Sequence, residues 1–480
     1  VVSFLHGVSD EQDGEGDRVM IWKFIAVVSP VVFMTSCGEG SPAGRSASPA
    51  AVIEISPAIT HQTMTGWEGT AQIGQACDRD LFLPYRDPLL DRLVNELGIN
   101  RVRLELTSGA ENPIDWFTLG YTGQVPYASA RSRRYEIIND NADPRAINPA
   151  GFQFAMLDHH AEHVVNPLRQ LLAARAERLY VNLTYVDFGK TPFEHSQNPD
   201  EYAELILATF QHLQLKYGWV PDAVELILEP DNTENWRPST IGAAIVATGD
   251  RLKAAGFKPA FIAPSNKNAS RAVTSFDELA RMPRVLEYLT DLAYHRYSGV
   301  SRGVLEAIGA RSVQYGIRTG MLEHIGSGYE DLHADIEHGR VSAWQQYALS
   351  YCSASDDGTK YYRIDAANAA QPQIILGSRS RFLRQYFLFV RMGAVRVGAA
   401  SADARFKPLA FRNPNGRFTV VVKASGSGEF QVRNLPAGTY GRKFTTASQF
   451  DVDLADVRIA GGQALPASIP ESGVMTLYQR

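Results

Sequence analysis

The sequence predicts an α/β chain, a (β/α)8 barrel carrying a C-terminal antiparallel β-sandwich. Three observations point there. Between residues 63 and 323, short apolar runs alternate with amphipathic helical segments, as repeated βα units with parallel strands require. Past residue 396 the texture changes to short alternating runs divided by turn residues. The length of 480 residues leaves room for a barrel of about 250 residues or more together with a second domain.

In the barrel region, Thr65–Glu68 reads as the first strand. In Asp87–Leu97 the residues Leu89, Leu90, Leu93, Val94 and Leu97 share one helical face, and Gly98 stops the helix. Strands follow at Asn100–Leu106, Arg178–Val186 and Ala223–Glu229. Asn198-Pro199 supplies a cap and a first-turn proline for a helix ending at Gly218, and Ser239–Ala255 forms another before Gly256. Phe261–Pro264, Asp291–Tyr297 and Gly316–Glu323 continue the strands, with helices around Phe276–Leu289 and Asp331–Leu349. The eighth strand is expected within Lys360–Leu376, and the helix Ser378–Arg391 closes the series. In the side domain, runs such as Arg417–Val422, Glu429–Val432 and Val474–Tyr478 alternate between turns, and residues 52–57 are expected to pair with that sheet. The organisation expected is therefore residues 1–37 as extension and signal, 38–50 as tether, 51–62 as a strand joining the side domain, 63–392 as barrel and 393–480 as sandwich.

The start reads as an address. Phe24–Met34 is an eleven-residue apolar run preceded by Arg18 and Lys23, shorter than the roughly 20 residues a spanning helix needs and shaped like a signal-peptide core. Met34-Thr35-Ser36-Cys37 resembles a bacterial lipoprotein box, with Cys37 as the lipidated residue. A secreted or cell-envelope lipoprotein of a bacterium is expected, touching the membrane only through Cys37. Gly38–Ala50 is a Gly/Ser/Pro/Ala tether. Cys77 and Cys352 are compatible with free thiols or with a bridge. A net charge of −5 with no basic block argues against a nucleic-acid footprint. With 45% hydrophobic and 21% charged residues, the composition is that of a folded globular chain.

The chemistry gathers at strand ends, because βα loops build the active face of such barrels. Two apolar strands close on a glutamate, Leu226-Ile227-Leu228-Glu229-Pro230 and Gly320-Met321-Leu322-Glu323-His324. A carboxylate ending a buried strand costs free energy unless it is paired or working. Either alone reads equally well as a rim salt bridge. Two on one wall are what glycosidic cleavage needs, one to protonate the leaving oxygen and one to attack the anomeric carbon.

With these residues the sequence resembles the retaining (β/α)8 glycoside hydrolases, most closely glycoside hydrolase family 30. The matching pieces are Thr65-Gly66-Trp67-Glu68-Gly69, Arg101-Val102-Arg103, Glu229-Pro230, Tyr294-His295-Arg296-Tyr297, Leu322-Glu323 and Phe389–Arg396. The resemblance spans residues 52 to 480. It implies Glu229 as acid/base and Glu323 as nucleophile, Arg103 keeping the nucleophile ionised, and His295 and Tyr297 lining the same subsite. It also implies a carbohydrate substrate and neither metal nor organic cofactor. Two positions depart from the family: Leu228 stands where an asparagine that bonds the sugar 2-hydroxyl is usual, and Met392 replaces a proline. Asn232, three residues past Glu229, is a candidate substitute for that asparagine. Trp67, Trp116, Tyr185, Trp236 and Trp344 are candidate stacking platforms, Trp236 and Tyr185 the better placed, with at least two of the five expected in the core. The segment from Ser108 to Gly151 is expected as an extended loop over the active face.

Two other readings compete. His159-His160-Ala161-Glu162-His163 matches the H-x-x-E-H zinc-protease signature, with His159 and His163 one helical turn apart and Glu162 as base, against the plainer reading of a polar helix face. Leu228 also motivates a glycan-binding barrel without turnover.

Overall fold

The computed structural model describes residues 50–480 apart from 77, 78, 80, 190, 352 and 369. The segment Phe24–Met34 and all three cysteines, Cys37, Cys77 and Cys352, lie outside the described residues.

The chain opens with β1 (Ala51–Thr63) and enters the barrel at β2 (Gly66–Thr70). Seven more barrel strands follow: β3 (Arg101–Thr107), β4 (Tyr180–Val186), β5 (Ala223–Glu225), β6 (Ala260–Asn268), β7 (Leu289–Ser298), β8 (Arg318–Glu323) and β9 (Val341–Tyr351). Each pairs in parallel with the next, and β9 pairs with both β8 and β2, which closes the ring. Helices Phe82–Arg92, Pro199–Tyr217, Pro238–Ala254, Ala269–Arg281, Arg302–Tyr315 and Tyr329–Glu337 lie between strands. The first of these continues through one wider turn, Leu93–Leu97, and stops at Gly98 (φ +101), where a Cβ would meet the Phe387 carbonyl at 2.5 Å. Tight backbone approach as well as the left-handed turn demands glycine there.

The eighth strand differs from expectation. The helix expected over Asp331–Leu349 ends at Glu337, and the residues after it form β9. Arg340, at φ +53, breaks the chain between them. Both faces of β9 are buried, so it lacks the alternation that marks a half-exposed strand, and Ser342, Gln345 and Gln346 dilute its apolar character. Lys360–Leu376 instead supplies β10 (Lys360–Asp365) and β11 (Gln373–Leu376), which extend the sheet sideways from β9.

The side domain uses β1 and eight C-terminal strands, β12 (Val395–Ser401), β13 (Phe406–Arg412), β14 (Phe418–Ala424), β15 (Gly428–Arg433), β16 (Gly438–Thr446), β17 (Val452–Ile459), β18 (Leu465–Ile469) and β19 (Gly473–Gln479). Their order is β17-β16-β19-β14-β13-β12-β1-β15-β18, and all nine contribute to one core. β1 runs antiparallel to β12 and parallel to β15. Among the described residues no helix is long and apolar enough to cross a membrane.

Candidate active site

Glu229 does not end a regular strand. The ladder of β5 stops at Glu225, and the chain continues on single bonds, Leu226 N–H to the Ile262 carbonyl (3.0 Å) and Leu228 N–H to the Tyr185 carbonyl (2.9 Å). Glu229 itself sits at φ +48, a left-handed conformation costly for a residue with a Cβ and typical of functional turns. The turn Pro230–Asn232 follows at once. His295 Nδ1 lies 2.8 Å from Glu229 Oε1, and Asn232 Nδ2 donates to Oε2. His295 is fully buried. Burial opposes its protonation, but the bond to Glu229 and the charges of Glu229 and Glu323 hold its pKa above the ordinary value.

Glu323 is the last residue of β8, opposite His295 in the register of β7 and β8. The Tyr297 hydroxyl, two residues further along β7, donates to Glu323 Oε1 (2.8 Å). Arg103 Nη1 forms an ion pair with Oε2 at 2.6 Å. Arg103 is fully buried, and its Nη2 also donates to Glu105 (3.1 Å). Burial and the charge of Glu323 together push the Tyr297 phenol well up, so it stays a donor at all working pH values.

One oxygen of Glu229, one of Glu323 and a ring nitrogen of His295 lie within 4.8 Å of one another. The same spacing would suit a metal, but the side chains around the two carboxylates are donors and one is a guanidinium in direct contact, so the set does not fit a cation. Both glutamates are below a tenth exposed. The arrangement offers two adjacent carboxyl groups, one held by an arginine and a phenol, the other by a histidine and an amide.

The remaining residues singled out from the sequence divide. Asn232 bonds Glu229 and, through its carbonyl, accepts from Lys267 (3.2 Å), so it positions the carboxyl group. Trp236 is 3% exposed and packs edge-on against Tyr185 and Tyr202 with its indole N–H on Asp187 (3.0 Å), so it is a core residue rather than an open platform, at the edge of a cleft of about 610 Å³ lined by Pro230, Asp231, Arg237 and Asn266. Tyr185 is not a platform. It is fully buried, packed edge-on against Trp236 and Tyr202, with its hydroxyl on His195 (2.8 Å). Trp67 is likewise core, stacked on Phe387 at 4.5 Å and donating to the Val390 carbonyl at 2.7 Å. Trp344, on β9, is fully buried and bonded to Asp335, while Trp116 sits under the Arg133 guanidinium. Leu228 packs against Tyr135, Val186 and Phe188.

His159, His160 and His163 lie on one helical stretch, and rings of His159 and His163 touch at 4.5 Å. Glu162 is held by Tyr217 (2.8 Å) and Lys216 (3.0 Å), and among the described residues no third ligand joins the histidines. The protease constellation does not form. Sequence reading missed Tyr347, whose ring lies 5.7 Å from the Arg103 guanidinium, because β9 was expected to be helix. It missed Glu105, the second partner of Arg103, although the two-residue period of β3 puts both on one face.

No sequence-family profile matches the chain, and no characterised relative matches by sequence. Solved structures do match by fold. A glycoside hydrolase family 30 (GH30) endoxylanase from Clostridium papyrosolvens C71 is 15% identical, covers 89% of this chain and 99% of its own, and has a TM-score of 0.60. The subfamily 8 xylanase Xyn30A from Clostridium acetobutylicum is 15% identical, over 90% of this chain and 100% of its own, at 0.63. The endo-β-1,6-glucanase BT3312 is also 15% identical, over 90% and 95%, at 0.62. The resemblance read from short motifs thus recurs as a likeness of fold across barrel and side domain.

Proposed function

We propose that the chain is a retaining O-glycosyl hydrolase acting on β-linked polysaccharide or glycoconjugate. The observation that carries this is that one oxygen of Glu229 and one of Glu323 come within 4.8 Å of each other, an approach compatible with the roughly 5–5.5 Å between carboxyl groups in retaining enzymes. The fold likeness to two xylanases and a β-1,6-glucanase supports it. In the first step Glu323 attacks the anomeric carbon while the Glu229 carboxyl gives its proton to the leaving oxygen. Arg103 and Tyr297 orient the nucleophile and match its charge before attack. In the second step Glu229, now a carboxylate, takes a proton from water, which displaces Glu323 and releases the sugar with its configuration kept. Asn232 and His295 hold Glu229 in place for both transfers. The cleft edged by Trp236 begins at Pro230, the residue after Glu229, and is a fitting berth for the leaving-group side of a long substrate.

Leu228 favours a second reading, a glycan-binding barrel without turnover, since an apolar residue packed on Tyr135 offers the sugar no hydrogen bond. Proton NMR of products from a panel of β-linked glycans separates the two. The β-anomer forming first supports the proposal; an α-anomer forming first, or binding without hydrolysis of any member, refutes it. The Met34–Cys37 box supports a further proposal of a secreted or lipidated envelope protein.

A further inference from the structure

A second cluster of acids lies away from the catalytic pair, on the loop after β3 and the start of the helix Pro199–Tyr217. Glu111, Asp140 and Glu201 each bring one carboxylate oxygen to within 4.8 Å of the others. Glu111 is fully buried and Glu201 is 8% exposed. Glu204, one turn along the same helix, is fully buried. Glu201 Oε2, Glu204 Oε2, Asp140 Oδ1 and Asn139 Oδ1 are all buried without a hydrogen-bond donor. Among the described residues these four carboxylates meet one permanent cation, Arg251, whose Nη2 reaches Glu204 at 3.4 Å. Such a group of buried, undonated oxygens is expensive unless a positive charge joins it.

We propose that Glu111, Asp140 and Glu201 bind a calcium-class divalent cation, with the buried Glu204 next to Glu201 adding negative charge to the site. The donor set selects the ion. Every undonated atom of the cluster is a hard oxygen, the donor type that calcium takes. The one nearby imidazole is fully engaged, His195 Nε2 on Glu111 Oε2 (2.6 Å) and Nδ1 on the Tyr185 hydroxyl (2.8 Å), leaving no nitrogen for zinc. The loop is already shaped for it: Glu111 Oε1 accepts the Asp140 N–H (3.1 Å), and Asp140 Oδ2 accepts the Asn148 N–H (2.6 Å) and Asn141 Nδ2 (2.8 Å), so Oδ1 is left over. The ion would pin the loop to the helix. Through Glu111, His195 and Tyr185 it would also back Trp236 beside the cleft.

The test is calorimetric titration of chelator-treated full chain with calcium chloride, paired with thermal unfolding in calcium and in chelator. One calcium per chain and a Tm rise of a few degrees are expected. Glu201→Gln and Asp140→Asn should each weaken binding by about tenfold or more, yet match or exceed wild-type Tm in chelator, because each removes repulsion. A lost structural hydrogen bond would instead lower Tm in both media. If Glu201→Gln fails to fold, Asp140→Asn at the half-buried edge carries the comparison. No heat and no Tm change in wild type, or an unchanged calcium response in the variants, overturns the site. An equal response to magnesium overturns the calcium class.

Discussion

Arg103 Nη1 stands 2.6 Å from Glu323 Oε2, an ion pair that ties β3 to the end of β8 through the barrel interior. The arginine has no exposure to solvent and also meets Glu105, so the charge of two carboxylates depends on it. Removing one member of a buried pair leaves the other uncompensated, at about 3–5 kcal/mol. Arg103→Met should therefore lose stability of that order in urea unfolding and lose most of its kcat at temperatures where it remains folded. An unaltered kcat would detach Arg103 from the chemistry.

Glu229 is expected to serve the leaving group and Glu323 the sugar. Glu229→Gln keeps the shape and the Asn232 contact but has no proton to give. Hydrolysis of unactivated glycosides should fall about 10²–10⁴-fold, whereas aryl glycosides with acidic leaving groups should lose far less in the first step. Equal losses on both substrate types, measured as kcat/KM, would assign the acid role elsewhere.

Trp67 belongs to the hydrophobic core, stacked on Phe387 and bonded to the Val390 carbonyl. Trp67→Ala should cost about 3–5 kcal/mol by denaturant titration while leaving KM within about twofold in the folded protein. A raised KM with little loss of stability would restore it as a sugar platform.

His160 gives the fold an acid limit. Burial, and then the charges of His159 and His163, bring its pKa down from 6.5 to about 3. The unfolded chain takes that proton near 6.5 and the folded chain does not, so protonation favours unfolding and stability falls as pH drops below 6.5. The loss reaches about 2 kcal/mol at pH 5. Chemical unfolding of wild type and His160→Gln at pH 7.5 and pH 5 should show the variant spared that amount.

Barrel and side domain were legible in the sequence because their strands are punctuated. Gly98, Gly218 and Gly256 each close a helix before a strand, and Asn198-Pro199 opens one. The glutamates at 229 and 323 stood out because a lone charge at the end of an apolar run has few cheap explanations. What stayed hidden was set by tertiary packing. β9 is buried on both faces and carries glutamines, so no period marks it, and Tyr347 disappeared with it. Tyr185 and Trp67 end or begin strands as a platform would, but Tyr202, Trp236 and Phe387 close over them from distant segments. The left-handed backbone at Glu229 had no sequence signal beyond the proline that follows it.

The most direct measurement is covalent capture. A β-configured mechanism-based glycosidase inactivator, incubated with the full chain and followed by peptide mapping, reports the residue that attacks the anomeric carbon. The account predicts one glycosyl adduct per chain, on Glu323, absent from Glu323→Ala, whose kcat falls about 10⁴-fold. An adduct on Glu229 or another residue, or substantial turnover by Glu323→Ala, would contradict it.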